Sequence, residues 1–285
     1  MTTATIEKTN IVIDEILKVN SSWDNKAKRK EYCKTQALER LGQTNHNKHL
    51  SKMWIINYTS STNVTVQFED GYIANNTTYQ QFCNGSVKNP NDKTIFGHGF
   101  IGIGKFKPSV DGKVTNSYTV WQAMLQRCYS ADFKQDNHTY EDCKCCSEWH
   151  NYQIFAEWYN ENYYNAGEAL QLDKDILIKG NKLYSSKTCI LVPKSVNVLF
   201  TKSDRKRGDT PIGVSPQKSG KYTARCQIGT QQKEYLGLFV DPVKAFEAYK
   251  EFKEQYIKEI AESYRDRIPQ ILYKAMMEYK VEVTD

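Results

Sequence analysis

No run in this 285-residue chain approaches the roughly 18 to 20 uninterrupted apolar residues that a membrane-spanning helix requires. The opening MTTATIEKTN lacks the basic-then-apolar order of a secretory leader, so the expectation is a soluble, cytoplasmic protein with no membrane partner. Long repeats and low-complexity linkers are missing too. Without a secretory route the sequons at Asn57 and Asn76 are accidents of an Asn- and Thr-rich composition, and the eight cysteines point to free thiols or metal before disulfides. Glycine (15) and proline (7) are too scarce for a collagen-like chain. Hydrophobic residues at 39% and aromatics at 12%, 19 of them tyrosine, exclude a disordered chain and imply a buried core.

The net charge of +6 is modest, but its distribution is uneven. Between Thr201 and Tyr235, Lys202, Arg205, Lys206, Arg207, Lys218, Lys221, Arg225 and Lys233 stand against Asp204, Asp209 and Glu234, a local +5. A field of that sign favours a polyanion, most often nucleic acid.

Periodicity divides the chain. Ile11, Ile13, Ile16 and Leu17 share one helical face, and a basic helix runs from Lys26 through Arg40 to a stop at Gly42. From Met53 the period becomes two: Trp54 to Tyr58 and Val64 to Phe68, then a turn at Glu69–Gly71, predict a small antiparallel sheet. Gly97 to Gly102 spells G-x-G-x-x-G, but no long helix follows the third glycine. A glycine-rich connector is therefore expected there, not a phosphate cradle. Helices are predicted over Tyr118–Tyr129 and about Trp149–Tyr163, a turn at Lys179–Asn181 between apolar runs at Leu170–Ile178 and Cys189–Val192, and a short helix over Pro193–Phe200. Three short strands near Ile212–Val214, Lys221–Gln227 and Lys233–Gly237 precede a helix from Pro242, with a break at Pro269.

Trp121 to Met124 with Arg127 and Cys128, Cys146 to Trp149 with Phe155, Leu172 to Asp175, Tyr184 to Cys189, and Asn197 together resemble the phage-type HNH (His-Me finger) nucleases, over about Tyr118 to Phe200. The resemblance implies a strand, an irregular loop, a second strand and a helix holding one Mg²⁺ or Mn²⁺ ion against a scissile phosphate. It places Asp173 and Asn197 as metal ligands and Asn181 as the loop asparagine. Lys174 falls where the family carries its histidine base. A lysine, with a reference pKa of about 10.4, is a cation at neutral pH, so either Asp175 or the more distant His150 substitutes as base, Lys174 stabilises charge on the phosphate, or the site is inactive.

Cys128, Cys143, Cys146 and Cys189 belong to the same motif set. Cys143-x-x-Cys146 has the knuckle spacing of a tetrahedral Zn²⁺ site, which four thiolates would close. Cys145 interrupts the knuckle, and buried free thiols are the alternative reading.

Gly213-Val214, Gly220 to Ala224, Leu236 to Phe239, and Ala245 with Ala248 and Tyr249 resemble the plant ethylene-response-factor (APETALA-type) DNA-binding domain, over about Thr210 to Phe252. Strand alternation puts Tyr222, Ala224 and Cys226 against the helix, and Lys221, Thr223, Arg225 and Gln227, with Lys233 and Tyr235, on a basic outer face suited to a major groove. The family's arginines on the first strand are replaced by Ser215, Pro216 and Gln217. Residues 52–90 are similar to a small β-domain that precedes the same nuclease block in phage and bacterial proteins, on Phe68 to Gly71, Tyr79, Phe82 and Gly85 to Pro90.

The expectation is an α+β, multi-module chain. It consists of a helical segment (1–50), a small β-domain (51–108), a degenerate HNH-like ββα-metal core (109–203) and a sheet-on-helix DNA-binding module with terminal helices (204–285). The function expected is a phage or mobile-element, homing-type endonuclease acting on double-stranded DNA. The alternatives are a non-catalytic DNA-binding regulator that keeps the nuclease scaffold, or a basic face that meets an acidic protein.

Overall fold

A computed structural model describes residues 25–28, 30–32, 34–201, 210–229 and 232–283, so the Ile11–Leu17 face and Lys202 to Arg207 lie outside the described residues. The fold mixes α and β elements in two units, one ending at Thr94 and the other beginning at Ile95.

In the first unit a helix over 34–40 (α1) stops at Gly42, whose φ of +78° is the left-handed conformation that glycine adopts without a Cβ penalty. Four antiparallel strands follow in spatial order: β1 (Thr44–His46), β2 (Lys52–Ser60), β3 (Asn63–Phe68) and β4 (Ile73–Thr77). Their alternation buries Met53, Ile55, Val64, Val66 and Phe68 on one face, closed by Phe82 from the short helix α2 (Tyr79–Cys83). A capping box between Thr78 and Gln81 starts that helix. β1 pairs with β2 and Ala37 packs on this core, so α1 belongs with the sheet.

The second unit begins earlier than the sequence implied, at Ile95 and not near residue 109. The glycine-rich stretch is a packing seam. A Cβ at Gly99 would strike Leu125 and Trp121, and one at Gly102 would strike Asn151. Gln153 stitches the seam down by donating to the carbonyls of Ile101 (3.1 Å) and Phe106 (2.9 Å). A hairpin, β5 (Ser109–Val110) and β6 (Lys113–Val114), leads to α3 (Asn116–Tyr129), capped by Thr115, and the short α4 (Ala131–Asp136). Strand β7 (Lys144–Cys145) and a 3-10 turn at Ser147–His150 precede α5 (Tyr152–Asn162), capped by Asn151. Trp121, Leu125, Trp149 and Phe155 from these helices centre the largest core.

Strands β8 (Leu170–Asp173) and β10 (Ile190–Pro193) form an antiparallel ribbon. Between them β9 (Leu183–Tyr184) pairs in parallel with β7. Helix α6 (Lys194–Asn197) follows β10 directly and runs into a 3-10 turn at Val198–Phe200. The ribbon separates two cores: Leu170, Leu172 and Leu191 face α3 and α5, while Ile190 and Val192 face the carboxy-terminal helices.

The last sheet, β11 (Val214–Pro216), β12 (Tyr222–Ile228) and β13 (Gln232–Phe239), is antiparallel in that order. It packs on α7 (Pro242–Tyr264), and α8 (Gln270–Met277) follows the break at Pro269. This module is not a separate unit, because α7 and α8 also bury Ile257, Ala261 and Leu272 against β10 and α6.

Candidate metal centre and nucleic-acid interface

The β8–β10 register pairs Asp173 with Ile190 and Gln171 with Val192, so the two polar side chains of β8 share the face towards α6. Asp173 ends the strand as an Asx turn: its Oδ1 accepts from the backbone N–H groups of Asp175 (2.9 Å) and Ile176 (2.7 Å). The second oxygen of Asp173 is the one through which a cation would be held. Burial first, and the neighbouring Asp175 second, push the Asp173 carboxyl up to about 6, against lowering by the two backbone donors and Lys174.

Asn197 reaches the same face. Its Nδ2 donates to Gln171 Oε1 at 2.8 Å, two residues before Asp173 along the strand, so Gln171 joins the site between the two expected ligands. Strand alternation carried the signal for Gln171. Arg127 is a second residue whose role sequence reasoning missed. It lies over the Tyr140 ring, hydrogen-bonds the Tyr184 side chain, and its positive charge bears on Asp173.

Lys174 is 7% exposed, with Nζ 3.3 Å from Asp175 Oδ2 and 5.9 Å from the Tyr184 ring centre. That arrangement suits a cation orienting a carboxylate. The Asp175 side chain is the open member of the pair, 42% exposed. Asn181 is structural in its contacts: Nδ2 donates to the carbonyls of Lys174 and Leu183, both at 2.7 Å, and Oδ1 accepts from Leu183 N–H at 3.1 Å. It holds the loop carrying Lys174 and Asp175 in shape. His150 is engaged elsewhere, its Nε2 2.7 Å from the Tyr129 hydroxyl, beside His98 stacked on that tyrosine.

Asp173, Asp175, Asn197 and Gln171 carry hard oxygen donors of the kind Mg²⁺ or Mn²⁺ takes, and the contact that links them is the one between Asn197 and Gln171. Among the described residues no group of three or more His, Cys, Asp or Glu side chains converges as a metal cage. Cys128, Cys143 and Cys189 are buried in the core around Trp121, with Cys146 half-buried at its edge. Cys145 Sγ lies 3.9 Å from the Met124 sulfur. Burial pushes the Cys128 and Cys189 thiols up to about 12.

On the terminal sheet Ala224 and Cys226 are fully buried against α7. Thr223 lies on the same side of β12 as Arg225 but is not part of an open face: it is buried at 4%, on the central strand between Ser215 and Leu238. Arg225, Gln227, Lys233 and Tyr235 remain together, since Arg225 registers with Tyr235 and Gln227 with Lys233. The Arg225 guanidinium lies 5.9 Å from the Tyr235 ring centre, and Tyr235 is 56% exposed. Lys221 is exposed just before β12.

Set against family models, curated proteins and solved structures, the chain matches none of them.

Proposed function

We propose that this chain is a metal-dependent DNA endonuclease of the HNH type, as phages and mobile elements carry, brought to double-stranded DNA by its carboxy-terminal sheet. The observation that carries the reading is the antiparallel pair β8–β10 running directly into α6, with Asp173 and, through Gln171, Asn197 on one face.

Asp173 and the oxygen of Asn197 hold the cation, which when bound offsets negative charge on the scissile phosphate. Lys174 orients Asp175, and the Asp175 carboxylate accepts the proton of the attacking water. Asn181 positions both by fixing their loop. Arg225 and Gln227 read base edges, while Lys221 and Lys233 contact phosphates.

The test is nicking of supercoiled plasmid with Mg²⁺ or Mn²⁺. The native chain is expected to nick and Asp173→Asn is not, while both bind duplex DNA with the same dependence on salt. A second reading, a DNA-binding regulator on a nuclease scaffold, is favoured by the buried, carboxylate-paired Lys174 where a histidine base would stand. Equal inactivity of both proteins with binding retained selects that reading; loss of duplex binding by both rejects the two together.

A further inference from the structure

We infer that α7 and the tail after α8 form a rigid spacer that fixes the position of the cut relative to the DNA segment read by the sheet, an inference that rests on the endonuclease reading above. Helix α7 belongs to two cores at once. Ala245, Phe246 and Tyr249 pack with Val214, Ala224 and Cys226 of the sheet. Ile257 and Ala261, both fully buried, pack with Ile190, Val192 and Val196 of the β10–α6 segment. Between these contact sets the sequence has no glycine or proline, the residues at which helices bend.

Both ends are braced. At the far end of α7, the Tyr264 hydroxyl donates to Glu168, which also accepts from Ser195 N–H (3.0 Å) and Ser195 Oγ (2.6 Å) at the first turn of α6. Midway, the tail crosses back over the helix. Val281 N–H donates to Glu254 Oε1 (2.9 Å), the Val281 carbonyl accepts from Lys250 Nζ (2.8 Å), and the Val281 side chain is buried in the sheet's core. Tyr279 packs its ring 4.8 Å from that of Phe200. Lys179, on the loop that also carries Lys174 and Asp175, donates to the Lys280 carbonyl (2.9 Å) and pairs with Glu282 (3.5 Å). One short tail therefore touches the sheet's core, the helix and the loop of the metal centre.

A connection of this kind transmits position where a flexible linker would average it. The two contact sets on α7 are centred about twelve residues apart, about 18 Å at 1.5 Å per residue. The spacer thus holds scission at one offset from the centre of the read segment.

The experiment selects bound duplexes from a randomised pool with the full chain, adds Mn²⁺, and sequences the cut ends. Cuts at one offset from the selected motif are expected in the native chain. Two glycines inserted after Gln255 separate the contact sets; the same motif should then be selected, with cuts spread over several positions. Lys179→Met, a surface change that releases the tail from the loop, should raise the share of cuts outside the native offset and serves if the insertion fails to fold. Native cuts scattered about the motif, or cuts unmoved in the variants, overturn the spacer alone. A selected motif with no cleavage at all overturns the endonuclease reading, and the spacer with it.

Discussion

Asp173 stores an electrostatic cost. Its carboxyl is pushed up to about 6 by burial and by Asp175, above the ordinary value of an unfolded aspartate, about 3.9. A group whose pKa rises on folding favours the folded state while protonated, and that contribution is lost as pH climbs from the unfolded to the folded value. Asp173→Asn keeps the Oδ1 acceptor of the turn and removes the charge. It should therefore raise stability by about 1–2 kcal/mol at pH 7.5, with the gain vanishing near pH 4, as read by thermal unfolding at the two pH values. A variant that is more stable and yet unable to nick is what a residue kept for cation binding predicts. The carboxylate was visible in the sequence because a short motif surrounds it. Gln171 was harder to see, because its place beside Asn197 depends on which face of β8 meets α6.

At the scale of elements, Asn181 bridges the two ends of the loop from Lys174 to Leu183. Asn181→Ala removes three hydrogen bonds and should cost about 1–2 kcal/mol, with faster amide exchange confined to that loop. Elements fixed by local chemistry were legible in advance: the turn at Gly71, the helix opening at Pro242 and the break before α8 follow from the residues at those points. Three features were not. The β7–β9 pair joins strands of two residues each, with partners 39 positions apart, too short to leave a period. A glycine that lets a loop pack on a helix is spelled like a glycine that frees a linker, so the close packing of Gly99 and Gly102 just after the start of the second unit was not legible. The burial of Thr223 depends on its flanking partners Ser215 and Leu238 and not on the period of β12.

Over the whole molecule, the small net charge of +6 leaves the proposed binding of nucleic acid to local arrangement. The double substitution Arg225→Ala, Lys233→Ala should weaken duplex binding by at least about tenfold and lower the slope of log affinity against log salt by about two, measured by titration at several ionic strengths. Amphipathic spacing marked α7 as a packed helix, but nothing in one helix's periodicity says that two different cores will share it. That sharing gives one cysteine a use that composition did not suggest. Cys226 lies in the core that joins α7 to the sheet, whereas Cys83 is open to solvent. A maleimide should modify Cys83 at once and reach Cys226 only when its surroundings breathe. Quantified by mass spectrometry over time, uptake at Cys226 should quicken when two glycines are inserted after Gln255, the thiol acting as a clock wound by the helix.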